Sequence, residues 1–208
     1  RDWKTVPRYF AILGDGSFDY RDINGTGYNF VSPQMFGSSN GIYASDTLLG
    51  DLNGDGRPEV AFGRIPVKSV TEGQDYVAKL AAYEAGIGEL PSLLIADKSD
   101  FGGDFRYSTY RVQEQVGGDL RNLDLQQTEI DTARAEFDEE LDAGLRLINY
   151  LGHAGMDRLS GLGPSGLLNN TDVPALDNDV TPSFVGLSCL INNYSIPGFD
   201  GLGERLVV

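Results

Sequence analysis

Five short apolar runs, each closed by glycine, proline, serine or a carboxylate, recur along this chain. Tyr9-Phe-Ala-Ile-Leu13 stops at Gly14-Asp-Gly16, Glu59-Val-Ala-Phe-Gly-Arg-Ile65 at Pro66, and Leu93-Leu-Ile-Ala96 at Asp97. Leu147-Ile-Asn-Tyr-Leu151 ends at Gly152, and Phe184-Val-Gly-Leu187 ends at Ser188-Cys189. Runs of this length, bounded by turn residues, predict strands, the last two of them buried in a parallel sheet. Helical signals lie between them. Ser69-x-x-Glu72 is a capping box that opens a helix with apolar positions Val70, Tyr76, Val77, Leu80, Ala81 and Tyr83, ending at Gly86. A second helix is predicted from about Tyr107 to Gln115, before Gly117-Gly118. A short strand near Thr128-Glu-Ile130 leads into a helix over Thr132–Leu141 that ends at Gly144. Thr171–Leu176 reads as a short helix capped by Thr171, and Asp200–Val207 as a last one. Strands alternating with helices call for an α/β fold, a mostly parallel sheet flanked by helices on both faces. A loop rich in Gly, Asn, Ser and Tyr runs from Ser17 to Ala44. With no repeat and no flexible linker, residues 1–208 read as a single domain.

Composition narrows the partners. Sixteen basic against 31 acidic residues give a net charge of −15, a field that repels nucleic acid and anionic membranes. It suits salty or calcium-rich surroundings outside the cell. No run approaches the ~18 apolar residues of a membrane-inserted helix. Opening at Arg1-Asp2-Trp3 without Met, the chain reads as an excised piece, with flanking segments missing at both ends. Oligomeric state leaves no trace in the sequence.

There is one histidine, His153, and one cysteine, Cys189, each just past a predicted strand. Open α/β sheets place their sites beyond strand carboxyl ends. A free thiol is only about 3% thiolate at pH 7, so a working nucleophile needs a neighbouring imidazole. The same pattern also fits a buried, inert thiol beside a loop histidine.

Leu147-Ile-Asn-Tyr-Leu-Gly-His-Ala-Gly155, followed by Phe184-Val-Gly-Leu-Ser-Cys189, resembles the gingipain-type cysteine peptidases. Their Val-Asn-Tyr-x-Gly-His-Gly run precedes a strand ending in the nucleophilic Cys. Ser45-Asp46, the acidic stretch from Gly50 to Val67 and the early Gly14-Asp-Gly16 turn also match, in order. The resemblance implies a caspase-like α/β fold, with Cys189 as nucleophile and His153 protonating the departing amine. It implies an oxyanion hole from the backbone N–H groups of Cys189 and of Ala154, which stands where the family usually has Gly. An acid after the Leu93–Ala96 strand orients the imidazole; Asp97, Asp100 and Asp104 compete, and Asp100, before Gly102-Gly103, fits best. Arginine-cleaving members carry an acid where this chain has Tyr107-Ser-Thr-Tyr110. Leu151 and Leu187 therefore suggest a pocket for an apolar or small residue.

Asp51-x-Asn53-x-Asp55-Gly56-x-x-Glu59 spaces oxygen donors as calcium-binding loops do, with Asp46 as a further ligand. Phe62 at the twelfth position departs from an EF-hand, and an acidic hairpin turn is the plainer reading. Three functions follow as expectations. The first is a secreted bacterial cysteine endopeptidase acting on protein or peptide through a thioester. The second is a sortase-like transpeptidase of a secretion system using the same dyad. The third is a catalytically silent, calcium-binding surface module.

Overall fold

A computed structural model describes residues 4, 5, 7–27, 29–39, 41–86 and 88–208. The opening Arg1-Asp2-Trp3 lies outside them. The chain divides into two compact units: Arg1–Asp75 with Asn193–Asp200 and Val207–Val208, and Tyr76–Asn192 with Gly201–Leu206.

In the first unit, β1 (Tyr9–Leu13) runs parallel to β4 (Ala61–Ile65), with Leu13 opposite Ile65. The ladder continues past both strands, as Gly14 N–H donates to Ile65 O and Asp15 N–H to Val67 O. The Ser17–Ala44 segment is not wholly irregular. It contains a hairpin of β2 (Met35–Ser38) and β3 (Gly41–Ala44), whose mostly exposed side chains leave no burial pattern to read. Helix α1 (Val70–Gly86) starts on the expected box. Ser69 Oγ accepts from Glu72 N, while Glu72 Oε2 accepts from Lys68 N.

The second unit is built on four parallel strands in the order β10-β7-β5-β6. These are β5 (Ser92–Ala96), β6 (Leu120–Asp124), β7 (Leu147–Leu151) and β10 (Ser183–Leu187). Helix α2 (Phe105–Gln113) packs on β5 and β7, and α3 (Ile130–Ala143) packs on β6. Strand β5 is buried along its whole length, as expected of an apolar strand covered on both sides. Leu93, Ile95, Phe137, Ile148 and Tyr150 meet in the core. Two short strands, β8 (Arg158–Leu159) and β9 (Leu168–Asn169), pair between β7 and β10 in the chain. Helix α4 (Leu202–Val207) closes the chain.

Four expectations need correction. Strand β10, expected to be buried, alternates exposed and half-buried residues from Ser183 to Leu187. The strand expected at Thr128–Ile130 is instead β6, which ends at Asp124; Arg121, Asn122 and Asp124 hide it from an apolar scan, and Leu123 alone is deeply buried. Helix α2 begins at Phe105, because the Asp104 carboxylate accepts from Tyr107 N. The Thr171 helix is a 3-10 turn over Val173–Ala175 with Asp172 at its N-cap. No helix among the described residues is long and apolar enough to cross a membrane.

Candidate active site

Strands β7 and β10 are parallel neighbours in register, with Leu151 opposite Leu187, and Gly152 N–H adds a long bond to Leu187 O at 3.4 Å. His153 and Cys189 each follow two positions beyond that rung (153 − 151 and 189 − 187). Cys189 is free and exposed, so its sulfur is open to solvent rather than packed in the core. The next residue, Leu190, has φ +57°, an uncommon conformation for a side chain of its size.

The three competing acids take three different partners. Asp100 carries the ring: its two carboxylate oxygens lie 3.2 and 3.1 Å from His153 Nε2, both side chains being partly exposed. Its turn is closed by reciprocal backbone bonds with Gly103, and its Oδ1 accepts from Gly102 N at 2.7 Å. The Gly102 N–H first, then His153, hold the Asp100 carboxyl below its ordinary value. A carboxylate only accepts, so a neutral ring carries its proton on Nε2 and leaves Nδ1 as an acceptor. Phe105 meets the imidazole edge-on, ring centroids 5.1 Å apart. Asp104 caps α2, and Asp97 is buried beneath the loop, where it accepts from His153 N at 2.9 Å.

Ala154 avoids the left-handed region: among the described residues only Asp22, Ser160 and Leu190 adopt positive φ without being glycine. It forms an antiparallel bridge with Leu159 through its neighbours, as Gly155 N donates to Arg158 O and Ser160 N to His153 O. Leu151, half-buried, and Leu187, exposed, end the two strands that lead to His153 and Cys189.

The model of Peptidase family C25 matches residues 1–208. This chain belongs to that family. Solved structures agree on the fold. The Arg-specific cysteine proteinase gingipain R (RgpB) aligns with TM-score 0.69 at 16% identity, over 96% of this chain and 44% of its own. A structure described only as a protease aligns with TM-score 0.73 at 21% identity, over 98% of this chain and 42% of its own. The complex of pro- and mature domains of RgpB from Porphyromonas gingivalis gives 0.67 at 17%, over 97% and 45%. The C25 chain thus has the caspase-like α/β fold of the gingipains and spans less than half the length of the structures it matches. No curated protein matches it.

In this C25 chain the acidic loop brings carboxylate oxygens of Asp51, Asp55 and Glu59 within 4.8 Å of one another. Gly54 and Gly56, at φ +81° and +84°, turn the backbone so that Gly54, Asp55 and Gly56 N–H groups point at Asp51. These bonds, the one from Gly56 foremost, hold the Asp51 carboxyl below its usual range. Glu59 accepts from Leu52 N and from Asn53 Nδ2. Three carboxylates form a hard oxygen donor set, which fits calcium; Asp51 Oδ1 already accepts twice, and Asn53 Oδ1 accepts from Asp55 N. Asp46 does not join them. Its two oxygens form a fork with Arg64 Nε at 2.6 Å and Nη2 at 2.8 Å, and Arg64 also donates to Gly14 O and Val31 O. The guanidinium stacks on Tyr194 at 4.5 Å. Asp46 is therefore withdrawn as a metal ligand, because a largely buried cation already holds both its oxygens.

Sequence reasoning passed over Tyr150, Ser160 and Phe105. Only Tyr150 left a sign, a phenol inside a strand otherwise read as wholly buried, whose hydroxyl must find a partner.

Proposed function

We propose that this chain carries the catalytic centre of a secreted bacterial cysteine endopeptidase. The observation that supports it is the register of β7 and β10, which brings His153 and an exposed Cys189 off the same rung, while Asp100 engages Nε2 of the imidazole. The Cys189 thiolate adds to a peptide carbonyl. The N–H groups of Cys189 and Ala154 receive the oxyanion. His153 gives its proton to the departing amine, the C–N bond breaks, and a thioester remains for water to hydrolyse. Leu151 and Leu187 favour an apolar or small residue before the scissile bond. The Asp51, Asn53, Asp55 and Glu59 loop binds calcium as a structural ion. The strongly acidic surface suits an extracellular, calcium-containing medium, and the substrate is a protein or peptide.

Alkylation tests the centre. At pH 6, iodoacetamide should modify Cys189 faster than a model thiol, and His153→Ala should remove that excess. Equal rates for wild type, variant and model thiol would sink the proposal. Mass analysis of peptide products, with and without an added amine, then separates hydrolysis from transpeptidation.

A further inference from the structure

His153 is held by its main chain as firmly as by its ring. Its N–H donates to Asp97 Oδ2 at 2.9 Å. Its carbonyl accepts from the Tyr150 hydroxyl at 2.6 Å and from Ser160 N–H at 2.9 Å. These partners are joined to one another. The Tyr150 hydroxyl also lies 2.9 Å from Asp97 Oδ2, and Ser160 Oγ donates to Asp97 Oδ1 at 2.8 Å. Asp97, Tyr150 and Ser160 are 2%, 0% and 1% exposed, so the set is closed to water.

The arrangement is built against resistance. Ser160 is held at φ +65°, a conformation few non-glycine residues adopt. Gly152 admits no side chain, since a Cβ there would come 2.1 Å from Asp97 Cβ and 2.6 Å from the Tyr150 hydroxyl. Burial first, then the Asp97 charge, push the Tyr150 phenol well above its ordinary value, so it stays a hydrogen-bond donor across the working range.

The His153 carbonyl and the Ala154 N–H belong to one peptide group. A trans peptide is planar, so its C=O and N–H point in opposite directions. Whatever holds the carbonyl inward aims the N–H outward. We infer that Asp97, Tyr150 and Ser160 are positioning residues that lock the His153–Ala154 peptide, so that one buried clamp aims the Ala154 oxyanion donor, while the Asp100 carboxylate orients the imidazole. The inference rests on the peptidase reading for its consequence, but not for the clamp itself.

Two reactions of Cys189 separate the roles. Peptide cleavage needs the oxyanion donor, whereas alkylation by iodoacetamide needs only the thiolate. Tyr150→Phe should lower kcat for peptide cleavage by about 10–100-fold, the range for a misaimed donor. It should leave KM and the pH 6 alkylation rate within about twofold of wild type. Ser160→Gly tolerates the positive φ, removes the Oγ bond to Asp97 and should show the same split in smaller degree. Ser92→Ala deletes a buried hydroxyl that accepts from Arg146 Nε, away from the clamp, and should change neither rate. Amide hydrogen exchange reads the clamp independently of activity: the His153 and Ser160 amides should lose protection in Tyr150→Phe. Unchanged cleavage, or equal loss of cleavage and alkylation with both amides still protected, overturns the clamp. A wild type that neither cleaves nor shows excess alkylation sinks the peptidase reading, and exchange still decides the clamp.

Discussion

Leu151 and Leu187 face each other on the last shared rung of β7 and β10, and both chains turn off the sheet immediately afterwards. That single register relationship sets two residues 36 positions apart (189 − 153) each two positions beyond the same rung. A slip of one residue would reverse which face each following side chain leaves from. Shortening the segment after β10 by deleting Ser188 should therefore abolish cleavage while leaving the melting temperature within a few degrees, as measured by peptide assay and calorimetry.

Asp100 holds the outer nitrogen of the ring. Its carboxyl lies below the ordinary value, so the bonds it makes to Gly102 and His153 are complete above about pH 4 and vanish as pH falls through its folded pKa. Asp100→Asn should lower kcat by about 10–100-fold between pH 5 and 8. The stability gap between variant and wild type should shrink as pH falls below about 4. A gap that widened toward acid, measured by thermal melts across pH, would contradict this assignment.

The Asp46–Arg64 fork is among the least exposed ion pairs of the first unit. Removing one partner leaves a buried charge, so Asp46→Asn should cost about 3 kcal/mol. Arg64→Lys should also destabilise, since a single ammonium cannot make the fork and still reach Gly14 O and Val31 O. Because Asp46 lies outside the acidic loop's donor set, Asp46→Asn should keep any calcium response, as read by melts with and without the ion.

Calcium at a hundredfold excess over Kd should stabilise the protein by about 2.7 kcal/mol. Glu59→Gln and Asp55→Asn should remove that shift. Loss of one ligand charge weakens the site, and Glu59 also anchors Leu52 and Asn53. A melting temperature indifferent to both EDTA and calcium would leave the loop a hydrogen-bonded turn.

Asp15 behaves in the opposite sense to Asp100. Burial is the main cause that raises its carboxyl, against the Gly16 N–H and Lys68, which lower it. The folded state therefore holds its proton more tightly than the unfolded chain, and stability falls as pH rises from the unfolded to the folded pKa. Asp15→Asn should raise the melting temperature at pH 7 and converge with wild type near pH 3. A variant less stable than wild type at pH 7 would show that the Lys68 contact outweighs burial.

Short apolar runs ending in turn residues made β5, β7 and β10 legible as strands; burial on both faces explains the continuous hydrocarbon of β5, whereas β10 alternates exposed and half-buried residues. The single imidazole and single thiol at two of those ends were equally visible. Strand β6 escaped because one deeply buried leucine, Leu123, sits among polar neighbours. The β2–β3 hairpin escaped because its side chains lie mostly in solvent. The resemblance favoured Asp100 among Asp97, Asp100 and Asp104, but no physical property of the sequence could sort them. They share one loop and one chemistry, and differ only in whether a backbone amide, an imidazole or a helix end stands within about 3 Å. Asp46 likewise looked like a calcium ligand until Arg64, 18 positions on, took both its oxygens. The sequence by itself determined which apolar runs form strands and which side chains carry reactive atoms, since hydrophobicity and functional groups are properties of residues. Tertiary structure alone decided which partner each polar group meets, because hydrogen bonds depend on distances that only the folded chain sets.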